Sequence, residues 1–187
     1  MATYYVSATT GADINSGLSV GAAKATIGAA ENLATSAGDI VYIAPGTYRE
    51  SVSHGYSGTS GNRIYFIGDP DCEIFPKGYG SSAQARGVSP GIVRITRADA
   101  DELGDDTSGG STINTSGRDY ITWKNVHVDG IVSGVNAYND RNTGYGFRAS
   151  GGVADYLETH NCMVQNMGYG FSNVRYVKDC VAYGNTL

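Results

Sequence analysis

The residues best suited to chemistry lie late in the chain, in Ser133-Gly134-Val135-Asn136-Ala137-Tyr138-Asn139-Asp140-Arg141-Asn142-Thr143-Gly144-Tyr145, with Arg148 close behind. Tyr138 and Tyr145 offer flat platforms, and Arg141 offers a bidentate hydrogen-bonding fork. That combination suits sugar rings, so Tyr138, Arg141 and Tyr145 are the candidate substrate-binding residues. Hydrolysis of a glycosidic bond needs two carboxylates about 5–9 Å apart. Asp140 is one, and Asp129 in the preceding strand is the nearest second. A lyase needs a base and a cation to stabilise an enolate-like intermediate, and there Arg148 joins Asp140. The competing reading is an ordinary polar loop.

Other clusters are less specific. Asp99, Asp101, Glu102, Asp105 and Asp106 could offer oxygen ligands to calcium. They do not match an EF-hand, and the Ser/Thr/Gly-rich run after them reads as a solvated loop. Thr10 to Gly17 is a turn-rich stretch with calcium as the alternative role. No cofactor is expected, calcium being the one candidate. Cys72, Cys162 and Cys180 fit no zinc spacing and read as small buried hydrophobes. His54, His127 and His160 stand in no recognisable catalytic context.

Composition narrows the partners. A pI near 5.0 with no Lys/Arg run argues against nucleic acid. No stretch approaches the ~20 apolar residues of a membrane span. The first residues, Met1-Ala2-Thr3-Tyr4-Tyr5-Val6, show no basic or apolar leader pattern. With 27 Gly, 14 Tyr and 17% charged residues, the composition suits many short strands joined by turns.

These residues need a scaffold, and the chain predicts one. Tyr4 to Ala8 reads as a strand. Ala25 to Ala37 reads as a helix, with Thr26 as N-cap, an apolar stripe of Ile27, Ala30, Leu33 and Ala34, and Gly38 as its stop. Such a helix can cover the open end of a stack of sheets. Ile40 to Val52 reads as strand, Pro-Gly turn, strand, and Asn62 to Pro70 repeats the phrase. Ile40 to Ile64 and Ile43 to Ile67 are each 24 residues apart, a solenoid period.

The succession YYVSATTGADINSG, ATIGAAENLATSAGD, IVYIAPGTYRESV and GTSGNRIYFIGD resembles the entry segment of pectate-lyase-like right-handed β-helix proteins. These include polysaccharide lyases and phage tailspike-like proteins. The resemblance covers residues 4–70 closely and the rest by repeat character. It implies an all-β, right-handed single-stranded parallel β-helix with a short N-terminal capping helix. Residues 1–38 would form the strand and cap, and residues 39–187 the coils. It also implies that the loop before Gly146 borders a polysaccharide groove. Fold and function are separable, because one fold hosts many activities.

The last third supports stacked coils. Tyr120–Val128, Tyr156–Val164 and Val174–Ala182 align on Asn125, Asn161 and Asp179. Period-2 alternation then places Trp123, Thr159 and Val177 in one inward column. Val126, Cys162 and Cys180 form a second, and Val128, Val164 and Ala182 a third. Asn125, Asn161 and Asp179 read as a polar ladder at a tight turn. Stacked Cα atoms about 4.8 Å apart would allow a Cys162–Cys180 disulfide. Parallel Cβ vectors favour two thiols instead. Lys124, His160 and Lys178 form an outward column, either solvated or facing an acidic glycan. Phe147 should stack on Phe171.

Asn185-Thr186-Leu187 falls within what reads as another coil, so a continuation or a covering chain is expected. With no leader visible, the expected setting is a virion surface, as a trimer beside other virion proteins. The alternatives are an extracellular polysaccharide lyase and a non-catalytic capsid or tail element.

Overall fold

The computed structural model describes residues 1–76, 91–96, 110–130, 144–150 and 156–185. Asp140, Tyr138 and Arg141, and the acidic run from Asp99 to Asp106, lie outside the described residues. After β1 (Thr3–Val6) and a short 3₁₀ turn comes α1 (Ile27–Glu31). Then follow β2 (Ile40–Ile43), β3 (Gly46–Arg49), β4 (Val52–Ser53), β5 (Ile64–Gly68), β6 (Val93–Thr96), β7 (Ser111–Asn114) and β8 (Ile121–Lys124). The remainder are β9 (His127–Asp129), β10 (Tyr145–Arg148), β11 (Leu157–His160), β12 (Met163–Gln165), β13 (Tyr169–Ser172), β14 (Tyr176–Lys178) and β15 (Val181–Tyr183).

These strands form three parallel sheets, ordered β1-β2-β5-β8-β11-β14, β3-β6-β9-β12-β15 and β4-β7-β10-β13. We call them sheets A, B and C. From β2 onward the chain visits A, B and C in an unbroken cycle, so each circuit is one coil. Each strand bonds to its counterpart one coil away, as a solenoid requires.

The expected columns hold. Thr159 pairs with Trp123 on one side and Val177 on the other. Val164 sits between Val128 and Ala182. Phe147 stacks on Phe171 with ring centroids 5.5 Å apart. Asn161 Nδ2 donates to Asn125 Oδ1 at 3.1 Å, and Asn125 Nδ2 donates to the Gly68 carbonyl at 3.2 Å. Asn125, Asn161 and Asp179 all have φ between 49° and 58°, the left-handed region that Asn and Asp tolerate best. A two-residue turn between sheets A and B therefore repeats at β8–β9, β11–β12 and β14–β15. Cys162 and Cys180 are free thiols, as the parallel Cβ geometry favours.

Two expectations need correction. The 24-residue match is one residue out of register: Ile40 pairs with Tyr65 and Val41 with Phe66, a step of 25. Aligning identical isoleucines would set the half-exposed Ile40 on the buried Ile64, whereas the true register keeps Val41 over Phe66, both inside. The helix also ends early. Thr26 caps it as expected, accepting from Ala29 N at 3.1 Å, but it stops at Glu31, not Ala37. Gly38 (φ 90°) serves the turn into β2 rather than the helix end.

The core runs down the coil axis. Trp123 is fully buried and lies flat on Phe66, centroids 4.6 Å apart. Ile27, Ala30 and Ala34 join that core together with Val6 and Val41. The Glu50 carboxylate holds α1 in place by accepting from Ile27 N at 2.7 Å and Gly28 N at 2.8 Å. Asp13 steadies the approach to it, accepting from Ala25 N and Thr26 N, both at 2.9 Å. Gly146 is required where sheet C nears sheet B. A Cβ there would run into the Val164 side chain and lie 2.7 Å from the Gly170 carbonyl oxygen. Among the described residues no helix is long and apolar enough to cross a membrane.

Candidate functional site

The outer face of sheet B carries a connected polar constellation. Along β6, β9 and β12 the strand period sends Arg94, His127, Asp129 and Gln165 outward, while Ile95, Val128 and Val164 fill the core. Register places His127 between Arg94 and Met163, and Asp129 beside Gln165.

Asp129 is the anchor. It points outward, yet only 1% of it is exposed. The Arg94 guanidinium pairs with its Oδ2. Gln165 Nε2 donates to the same oxygen at 2.8 Å, and Asn166 Nδ2 donates to Oδ1 at 2.9 Å. Asn166 reaches back because it adopts φ 56°, just past the end of β12. A buried carboxylate is tolerable only with such compensation. Both oxygens are engaged, so this side chain organises the face and is poorly placed to take a proton from a substrate.

His127 lies beside that pair. Burial is the main cause that lowers its pKa from the usual histidine value. The Arg94 charge adds to this, while Asp129 and a hydrogen bond to Gln165 oppose it. The imidazole is therefore neutral near pH 7. Its Nε2 is buried without a hydrogen-bond partner. Beside it an open groove of about 540 Å³ runs along the corner between sheets A and B. Its floor includes His127, Met163 and Val126, and its wall is made by Pro70, Asp71 and Ile92. The wall belongs to a long connection between β5 and β6, whose ends are tied by a bond from Gly91 N to the Pro70 carbonyl at 2.7 Å.

The other candidates lie elsewhere. Tyr145 and Arg148 are on β10 in sheet C. Tyr145 stacks on Tyr169 with centroids 4.8 Å apart, and the Arg148 guanidinium covers the Tyr145 ring at 4.5 Å. Asp129 ends β9 and Tyr145 begins β10, so the two flank the connection that holds Tyr138, Asp140 and Arg141.

The Lys124, His160 and Lys178 column also forms, on the outer face of sheet A. Lys124 Nζ lies 5.3 Å over the Tyr65 ring, and His160 Nε2 is 3.6 Å from Glu158 Oε2. At the corner beside it Arg63, Tyr120, Tyr156 and Arg175 form a four-rung stack. The two tyrosine rings are 4.4 Å apart, with Arg63 5.7 Å over Tyr120 and Arg175 4.1 Å over Tyr156. No group of three or more His, Cys, Asp or Glu among the described residues is placed to hold a metal ion.

Sequence reasoning missed Arg94, His127, Gln165 and Asn166 as partners of Asp129. The alternation of Val93-Arg94-Ile95 could have marked β6 as a strand. The long segments on either side of it hide its place in the repeat.

No family model matches the chain, and no curated protein matches it. Among solved structures it is similar to the GH136 lacto-N-biosidase from Eubacterium ramulus. The native form matches at 16% identity and TM-score 0.53, over 97% of this chain and 34% of that one. The selenomethionine derivative matches at 16% identity and TM-score 0.55, over 98% and 34%. The chain thus spans about a third of that enzyme's length, and at this identity the likeness is one of fold: a stack of parallel strands.

Proposed function

We propose that this chain is a glycan-binding segment of a right-handed, pectate-lyase-like parallel β-helix, with the outer face of sheet B as its binding surface. The hand follows from a general rule: crossovers between parallel strands of one sheet are right-handed in nearly all proteins. The observation that carries the binding reading is the open groove on sheet B, whose lining includes the exposed Ile92, Met163 and Asn161. Long solenoid faces suit extended polymers, because one surface continues from coil to coil. The likeness to a glycoside hydrolase of related fold agrees with this theme.

The described side chains support binding more directly than cleavage, since Asp129 is engaged by Arg94, Gln165 and Asn166. Cleavage would call on Asp140 with Arg148, or on further carboxylates. The proposal extends to a virion-surface setting as a trimer, by analogy with the phage tailspike-like proteins that the sequence resembles.

The test is a broad glycan array with the folded chain, followed by calorimetry on the hits. Binding that weakens in His127→Ala is expected. Silence across the array would sink the proposal. A sedimentation experiment finding a monomer at micromolar concentration would count against the trimer.

A further inference from the structure

The groove on sheet B also indicates what kind of sugar it takes. We propose that it selects an uncharged glycan whose ring carries a methyl-bearing substituent, such as a 6-deoxy or an N-acetyl group, over a polyuronate. This rests on the reading of sheet B as a glycan-binding face.

The argument begins with charge. Among the described residues, those lining the groove include no Lys or Arg. Arg94, a cation on this face among the described residues, is turned onto the buried Asp129 carboxylate. His127 is held neutral by its burial. Among the described residues of the lining the charged side chain is Asp71, exposed on the wall. A uronate carboxylate entering here would lose water, gain no counter-charge and meet a like charge.

The lining is otherwise suited to hydrocarbon. Ile92 is 58% exposed and Met163 39% exposed, unusual for such side chains inside a concave site. A methyl group covering Ile92 and Met163 would remove apolar surface from water, at about 25 cal/mol per Å². Met adapts its shape readily to such a guest.

Polar groups then orient the ring. His127 borders the groove, and beside it lies the exposed Asn161 amide. One hydrogen of its Nδ2 is donated to Asn125, and its Oδ1 can accept from a sugar hydroxyl. The groove volume of about 540 Å³ falls within the ~300–1,000 Å³ typical of small-ligand sites.

The test uses the intact chain at physiological salt and four probes: an N-acetylglucosamine trimer, a rhamnose-rich oligosaccharide, a glucose trimer without substituents, and an oligogalacturonate. Calorimetry gives affinities, and saturation-transfer NMR shows which ligand protons touch protein. At least one methyl-bearing probe should bind about tenfold or more tightly than the glucose trimer. Its methyl protons should receive the strongest saturation, and Met163→Ser should remove most of the preference. Met163 is exposed, so that variant should fold. Comparing the two methyl-bearing probes separates 6-deoxy from N-acetyl.

Equal affinity for substituted and plain neutral sugars would overturn the inference while leaving glycan binding intact. So would tighter binding of oligogalacturonate, especially if lost in Lys124→Ala/Lys178→Ala on sheet A. No binding of any probe or array glycan by the folded chain would sink both readings.

Discussion

At the scale of single residues, buried titratable groups make the sharpest predictions. The indole of Trp123 donates to His54 Nε2 at 3.0 Å, so the neutral ring carries its proton on Nδ1. Nδ1 lies 3.9 Å from Glu31 Oε1 in the same interior. Burial lowers the His54 pKa to about 3. The unfolded chain protonates it near the ordinary value of about 6.5, so below that pH the unfolded state binds more protons. The stabilising effect is complete above about 6.5 and is lost as pH falls toward 3, by a few kcal/mol in total at ~1.4 per unit. Burial raises the Glu31 pKa, so that group acts in the opposite sense, destabilising as pH rises through its folded value. Urea titrations from pH 7 to pH 4 should show His54→Gln less stable than the parent at pH 7 but flatter with acid. Parallel slopes would refute this account. A second prediction concerns the thiols. Cys162 is held above the ordinary thiol range, first by donating to Cys180 and then by burial. Accepting from Cys162 is the main cause that lowers the Cys180 pKa to about 6. Iodoacetamide should alkylate Cys180 first, with a midpoint near that pH, and Cys162→Ala should move the midpoint upward. Mass spectrometry finding Cys162 labelled first would contradict the assignment.

At the scale of elements, the turn between sheets A and B combines a backbone demand with a side-chain one. Asn161 must hold φ near 49° and also bridge to Asn125. Asn161→Ala loses both the left-handed tolerance and the amide bond, for about 1–3 kcal/mol. Asn161→Gly loses only the bond, so its denaturation midpoint should fall between Ala and the parent. If Gly proves the worse of the two, the backbone term is not what selects Asn there. The helix offers a second case. α1 has only five residues and would not persist alone. Glu50 and the Ile27/Ala30 contacts hold it across the end of the stack. Glu50→Ala should cost about 1–3 kcal/mol by leaving two amides unpaired. Hydrogen exchange at Ile27 and Gly28 should accelerate more than exchange in β8. Equal acceleration in both would mean the cap and coils unfold as one unit.

At the scale of the whole molecule, each coil touches chiefly its neighbours, so stability should vary along the axis. Trp123, Phe66 and Ile121 are fully buried, whereas Val177, Val181 and Tyr183 are 45%, 51% and 67% exposed. In a polypeptide of residues 1–187 alone, hydrogen exchange should therefore be slowest around β5 and β8 and fastest in β14 and β15, which a further coil would protect. A uniform profile would imply a single cooperative unit. The same layering explains the candidate site. Arg94, Asp129 and Gln165 come from three successive coils, separated in sequence by 35 and 36 residues, and meet because the coils place them on one face.

The stacking of coils was legible in the chain wherever turns stay short. From Tyr120 to Ala182 the Asn ladder and its columns can be aligned by eye, since a period of 2 fixes which side chains face inward. The capping Thr26 was equally plain, because an N-cap is a local matter of one hydroxyl and the amide of Ala29. Only the tertiary structure decided the register of β2 on β5, where identical isoleucines one step apart misled. Packing, not residue identity, sets which alternate side chains go inside. It also decided the role of Asp129, an acid that could have served chemistry. Its partners come from strands distant in sequence, and the fate of a carboxylate depends on what surrounds it once water is excluded.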